Sequence, residues 1–323
     1  MHRRRSLWLL PAAIIAATAF AGAPALAQDG ETPDKLVLGL VPSREADVLV
    51  ENAKPLAEYL SAELGIPVEE FVPVDYPGLV IAMQTGQAHI GAFGPVGLVL
   101  AQDQAGADIL LQSVRFGSDT YYTQWMTNNA EKYCADDPVA NEDGRFYCNG
   151  TLESDERPLG EDAIALIEDG TPVGFVSASS ASGYTFPSVQ LVEAGIDHVN
   201  GIDPIFAGGH DNSVIALCNG DVEVGVSFND ARGILQDGDC ANMDEIVVFA
   251  YSPRIPNDGV AVAGDLPDEI KQGIADALIA YGQTEEGAEV LNSIYEISEF
   301  IPADVAKFES VRAAIAALGL TGD

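Results

Sequence analysis

Two short stretches of the chain carry the residue types that hold an oxyanion. Ser179-Ser180-Ala181-Ser182-Gly183 is a hydroxyl-rich turn ending in glycine. It follows the apolar run Val173-Gly174-Phe175-Val176 and precedes a helical pattern over Ser188–Ala194 that stops at Gly195. Gly208-Gly209-His210-Asp211 again leads onto a helical run, Ser213–Asn219. A strand that opens through small residues onto a helix start presents unpaired N–H groups and the positive end of the helix dipole, and both favour an anion. Ser180 and Ser182 could equally serve as N-caps and turn residues. His210 could be structural, although the glycines before it permit close approach of a ligand.

Further candidates are Asp230 in Phe228-Asn229-Asp230, Asp258 in Ile255-Pro256-Asn257-Asp258-Gly259, and the aromatic donors Tyr76 and Tyr121-Tyr122 near predicted strand ends. Each also reads as a loop acid or a packing aromatic. Ser182, His210 and Asp230 stand in the order of a hydrolytic triad, but triads are defined by geometry rather than order. The chain has neither a G-x-S-x-G elbow nor a Walker lysine loop. A carrier therefore fits better than a catalyst.

The N-terminus reads as a cleaved secretory signal over residues 1–27: Arg3-Arg4-Arg5, an apolar stretch from Leu7, and Ala25-Leu26-Ala27 before Gln28. Arg4-Arg5-Ser6-Leu7-Trp8 loosely matches a twin-arginine signal, and with no cysteine at the cut a lipoprotein is not expected. Cleavage removes three of the 15 basic residues and none of the 50 acidic ones, so the formal charge moves from −35 to −38. Such a surface repels nucleic acid and anionic membranes. Any anionic ligand must then be held by local donors against the mean field.

Cys134, Cys148, Cys218 and Cys240 form an even set in a chain that reads as exported, which favours two disulfides. Nearest neighbours would pair 134 with 148 and 218 with 240, but all three connectivities stay open. His89, His198 and His210 are scattered and no CxxC occurs, so no metal site is expected.

These residues must be positioned by alternating elements. Lys35–Pro42 predicts a strand, Asp47–Leu64 a helix ending at Gly65, Val68–Val74 a strand, and Tyr76–Thr85 a helix. His89–Phe93 and Pro95–Gln104 repeat the unit. The alternation breaks over 128–158, an acidic stretch holding two cysteines that reads as a stapled insertion. It resumes through Glu161–Glu168, Val173–Val176, Pro187–Ala194, a strand at His198–Ile202, Ser213–Asn219, Val222–Phe228 and Ile246–Ala250. The tail, Asp268–Leu320, reads as almost wholly helical. Alternation predicts an α/β protein with mostly parallel sheets flanked by helices, and the length allows two lobes. Lobe one would be residues 28–125 with 252–323, and lobe two 126–251. The chain would cross near Thr123–Met126 and Ala250–Pro253, with ligands held beyond the strands' carboxyl ends in a cleft that closes by hinge motion.

With these motifs in place, the chain resembles the phosphate/phosphite/phosphonate-binding proteins of ABC importers, which are periplasmic solute receptors of the type II fold. Asp75-Tyr76, Gly91-Ala92-Phe93-Gly94-Pro95, Ser180-Ala181-Ser182-Gly183-Tyr184 with Pro187, Gly209-His210-Asp211 and Ser252–Asp258 carry the resemblance. It implies a ligand set of Tyr76, Tyr122, Ser180, Ser182, His210, Asp230 and Asp258. Ala181 replaces the family's central threonine and removes one hydroxyl. The resemblance further implies a monomeric exported receptor without a cofactor, which passes its ligand to a membrane permease. A sensor subunit of the same fold and a phosphoester hydrolase are the alternatives.

Overall fold

A computed structural model describes residues 32–320 except 237; the expected signal peptide lies outside these residues. The chain enters the first lobe through β1 (Leu36–Leu40), α1 (Ala46–Leu64), β2 (Val68–Phe71), α2 (Tyr76–Gln84), β3 (Ile90–Phe93), α3 (Pro95–Ala105) and β4 (Asp108–Val114). Leu36, Leu38 and Leu40 are buried on β1. Helix α1 buries Leu49, Ala53, Leu56, Ala57 and Leu60, the positions that share one helical face. It stops where Gly65 turns left-handed, at φ 65°, and its N–H reaches the Ser61 carbonyl at 3.1 Å. Asp75 starts α2 by accepting the Gly78 N–H at 2.8 Å, which sets Tyr76 at the helix's first position.

A short strand β5 (Thr120–Tyr121) leads to the second lobe: β6 (Thr123–Thr127), α4 (Ala130–Tyr133), β7 (Val139–Ala140), β8 (Phe146–Tyr147), α5 (Glu161–Ile164), β9 (Pro172–Phe175), α6 (Phe186–Glu193), β10 (Asp203–Phe206), α7 (His210–Cys218), β11 (Val224–Phe228) and β12 (Val247–Tyr251). Strand β13 (Ile255–Pro256) pairs with β5, so the two crossing segments form an antiparallel ribbon. The chain then completes lobe one with β14 (Gly259–Val262), α8 (Asp268–Gly282), α9 (Glu285–Tyr295), β15 (Glu299–Pro302) and α10 (Glu309–Ala317). The expected boundary at 125 falls inside β6, all of which belongs to the second sheet.

Both sheets are mixed rather than mostly parallel. The first runs β15-β4-β14-β3-β1-β2 and the second β10-β9-β11-β6-β12-β8-β7. Strands β1, β2 and β3 pair in parallel, but β14 lies antiparallel between β3 and β4. In the second sheet β6 lies antiparallel between β11 and β12. The reason is topological. A strand that enters a lobe from the crossing starts where the parallel strands end, so it must run the other way.

Two further expectations change. Residues 198–202 form a turn, because the Asp197 carboxylate accepts the N–H groups of Val199 and Asn200 at 2.9 and 3.0 Å; the strand begins at Asp203. The tail is interrupted by β15, which pairs with β4 and buries Phe300. The disulfides join Cys134 to Cys148 and Cys218 to Cys240. Within the insertion, β8 pairs in parallel with β12, so this segment extends the second sheet as well as being stapled.

Candidate functional site

Ser180 caps a single π-helical turn, Ala181–Thr185, that runs into α6; its Oγ accepts the Gly183 N–H at 3.1 Å. That leaves the Ser180 hydroxyl hydrogen free to be donated. A Cβ on Gly183 would collide with Val176 and with Ser180 Oγ, so glycine is required for the turn to close this tightly. Ser182 is 1% exposed. On the same lobe stands His210, the first residue of α7. Its backbone N–H donates to the Ser43 carbonyl at 2.9 Å, a bond that joins the second lobe to the loop after β1. Its Nδ1 sits 2.7 Å from Ser227 Oγ, and its ring meets Phe228 edge-on at 4.9 Å.

Between these elements lies a cavity of about 50 Å³. The second lobe contributes Ser180, Ala181, Ser182, His210 and Phe228. The first lobe and the crossing ribbon contribute Ser43, Arg44, Tyr76, Arg115, Tyr121, Asp258 and Tyr295. Volume of this order holds a few water-sized bodies. It suits a compact tetrahedral anion.

The electrostatics favour donors. Burial drives the His210 imidazole down to about 3, with Arg115 and Arg44 adding to the effect, so the ring is neutral across the physiological range. Burial also raises the Tyr76 and Tyr121 phenols, which therefore remain O–H donors. The Tyr76 hydroxyl is buried and has no hydrogen-bond partner among the described residues. Burial raises the Asp258 carboxyl, opposed by Arg115, whose Nη2 is ion-paired to it. Burial lowers the Arg44 guanidinium, opposed chiefly by Glu296. A guanidinium nonetheless keeps its charge in a protein.

Five of the seven residues read from the sequence thus line one cavity: Tyr76, Ser180, Ser182, His210 and Asp258. Tyr122 and Asp230 do not. Adjacent side chains of extended backbone point to opposite sides, so Tyr121 takes the place expected for Tyr122. The Tyr122 ring instead packs edge-on against Tyr251 at 4.7 Å, and the Arg157 guanidinium lies 4.1 Å from its centroid. Asp230 is fully engaged elsewhere. It accepts from Arg232 Nη2 at 2.8 Å, the Tyr147 hydroxyl at 2.8 Å and Gln124 Nε2 at 3.1 Å, with Arg145 at 3.4 Å. Among the described residues, the His210 ring is hydrogen-bonded by a serine and by no carboxylate, which is not the geometry of a triad.

Residues 38–308 match the family described as ABC transporter, phosphonate, periplasmic substrate-binding protein. The chain belongs to this family. It is 26% identical over 273 residues to the phosphate-import protein PhnD of Mycolicibacterium smegmatis, covering 79% of this chain and 75% of that one. It is 24% identical over 272 residues to the phosphonates-binding periplasmic protein of Escherichia coli, covering 84% and 72% respectively. The fold is similar to PhnD1 of Prochlorococcus marinus in complex with methylphosphonate, with a TM-score of 0.73 at 16% identity over 89% of this chain and 99% of that one.

Arg44 and Arg115 are charged cavity residues that sequence reading of this phosphonate-family chain passed over, while Tyr121 was named only within the pair Tyr121-Tyr122 and left out of the ligand set. A signal was present. Arg44 follows β1 closely and Arg115 follows β4 directly, both at strand carboxyl ends where α/β sheets bind ligands. In a chain with only 15 basic residues, arginines at those points are informative.

Proposed function

We propose that this protein is exported, with residues 1–27 removed, and captures a small phosphorus oxyanion between its lobes for delivery to the permease of an ABC importer. Phosphate, phosphite and simple phosphonates are the ligand class. The Tyr76 hydroxyl carries the reading: it is a buried donor on the cavity without a partner among the described residues. Such a group costs stability until an acceptor arrives. Ser180, Ser182 and neutral His210 supply further donors on the opposite wall. The Ser43–His210 bond describes the lobes in their apposed state. The relatives' names, a phosphate importer and a phosphonate binder, point the same way. The β5–β13 pairing supports a crossing of the chain between the lobes at that ribbon.

Calorimetric titration with phosphate, phosphite, methylphosphonate and sulfate tests the proposal. One phosphorus oxyanion should bind at about micromolar Kd or tighter, with sulfate weaker. Ser182→Ala or His210→Ala should weaken that ligand about tenfold or more. Unchanged affinity in both variants would place the ligand elsewhere.

A further inference from the structure

We propose that Arg115 restricts this site to compact phosphorus oxyanions and keeps out phosphonates whose substituent is long or carries an ammonium group. The inference rests on the functional reading above and names the ligand feature that the cavity selects.

Arg115 stands in a wall. A second cavity of about 110 Å³ adjoins the first. The two share Arg115, Tyr121, Phe228 and Glu296 among their lining residues. Ser180, Ser182, His210 and Tyr76 line the first alone, so the phosphoryl group belongs there. The space a longer substituent would need lies past Arg115. The guanidinium is held in that wall: its side chain is 12% exposed, and Nη2 is ion-paired to the Asp258 carboxylate. Its Nε is buried without a partner among the described residues and is available to an acceptor.

The same pair sets the charge. A lone Asp258 carboxylate would attract an ammonium group. With Arg115 on its Oδ2, that charge is neutralised, while Oδ1 can still accept a hydrogen from the ligand. Arg44 adds a second guanidinium, with neither ion pair nor hydrogen bond from its side chain among the described residues. Glu296 is the other acid on the cavity, and its charge acts on Arg44. An ammonium entering here would face the Arg115 and Arg44 guanidiniums together with Glu296, so two cations stand against one acid without an ion pair among the described residues. Specificity of this kind comes from the repulsive element as much as from the attractive one.

The test is titration of the mature protein with phosphate, phosphite, methylphosphonate, n-propylphosphonate and 2-aminoethylphosphonate. The wild type should bind its best compact ligand about tenfold or more tightly than either long-chain phosphonate. In Arg115→Ala the compact ligand should weaken by about 10- to 100-fold, as for loss of a charged hydrogen bond. The long-chain phosphonates should gain relative to it, 2-aminoethylphosphonate most, because Asp258 is released. Arg115→Ala combined with Asp258→Asn should keep the gain for n-propylphosphonate and lose the ammonium preference. Arg115→Lys, which keeps the charge, serves where the alanine variant fails to fold; it should admit n-propylphosphonate without favouring the ammonium. Wild-type binding of 2-aminoethylphosphonate on a par with methylphosphonate overturns the inference alone. So do affinity ratios unmoved by the Arg115 variants. Silence across the whole panel overturns the functional reading, and this inference with it.

Discussion

Protonation of His210 offers a direct test of the site's electrostatics. The imidazole is driven down to about 3 by burial and by the two nearby arginines. In the unfolded chain the same group titrates near 6.5, give or take about a unit. Between those values the unfolded chain binds a proton that the native state refuses. Stability therefore falls as pH falls through that window, by up to about 1.4 kcal/mol per pH unit. From about pH 7.5 to about pH 5 the loss comes to about 2 kcal/mol, and it barely depends on whether the native value is 3 or 4. Many carboxylates titrate below this range, so the measurement must be differential. Urea unfolding of the ligand-free wild type and of His210→Asn at both pH values, in about 0.2 M salt to screen the acidic chain, isolates the histidine. The wild type should lose about 2 kcal/mol more than the variant. Equal losses would mean that His210 is charged in the native protein. The picture of a neutral donor wall would then be wrong.

Other outcomes follow from the same geometry. Tyr76→Phe removes a buried hydroxyl that lacks a partner among the described residues, so the ligand-free protein should be as stable as wild type or slightly more so in thermal melts. Its affinity for the phosphorus oxyanion should nevertheless drop about tenfold; lost stability with intact affinity would contradict the site. Asp230→Ala leaves the fully buried Arg232 side chain without its carboxylate, and about 3–5 kcal/mol of stability should go. Affinity measured below its lowered Tm should change little, since Asp230 does not line the cavity. Replacing Cys134 and Cys148 with serine opens a staple spanning 14 residues and should cost about 3 kcal/mol in urea unfolding, again with little effect on binding.

The alternation of strands and helices was readable because its signals are local. Apolar spacing over α1 names the face it buries, Gly65 ends it, and Asp75 starts the next helix. The serine turn was legible for the same reason: Ser180, Ser182 and Gly183 act within one turn of each other. The edge strand β15 was not, since its four residues are defined by pairing with β4, nearly two hundred positions earlier. Nor was the turn at 198–202, where one aspartate outcompeted an apolar pattern for the backbone.

By itself, then, the amino-acid order determined the class of the protein and most of its own candidate residues that line the cavity, because caps, periodicity and glycine turns operate between near neighbours. Tertiary structure decided which donors share the cavity and which acids are already engaged. Pairing of β5 with β13 sets which of Tyr121 and Tyr122 faces inward. Arg232, Tyr147 and Gln124 together occupy Asp230. Arg115 reaches Asp258 across a sequence separation of 143, and the pair neutralises charge on the cavity wall. Charge compensation is a property of distance in space. Nothing in the spacing of the residues along the chain reports it.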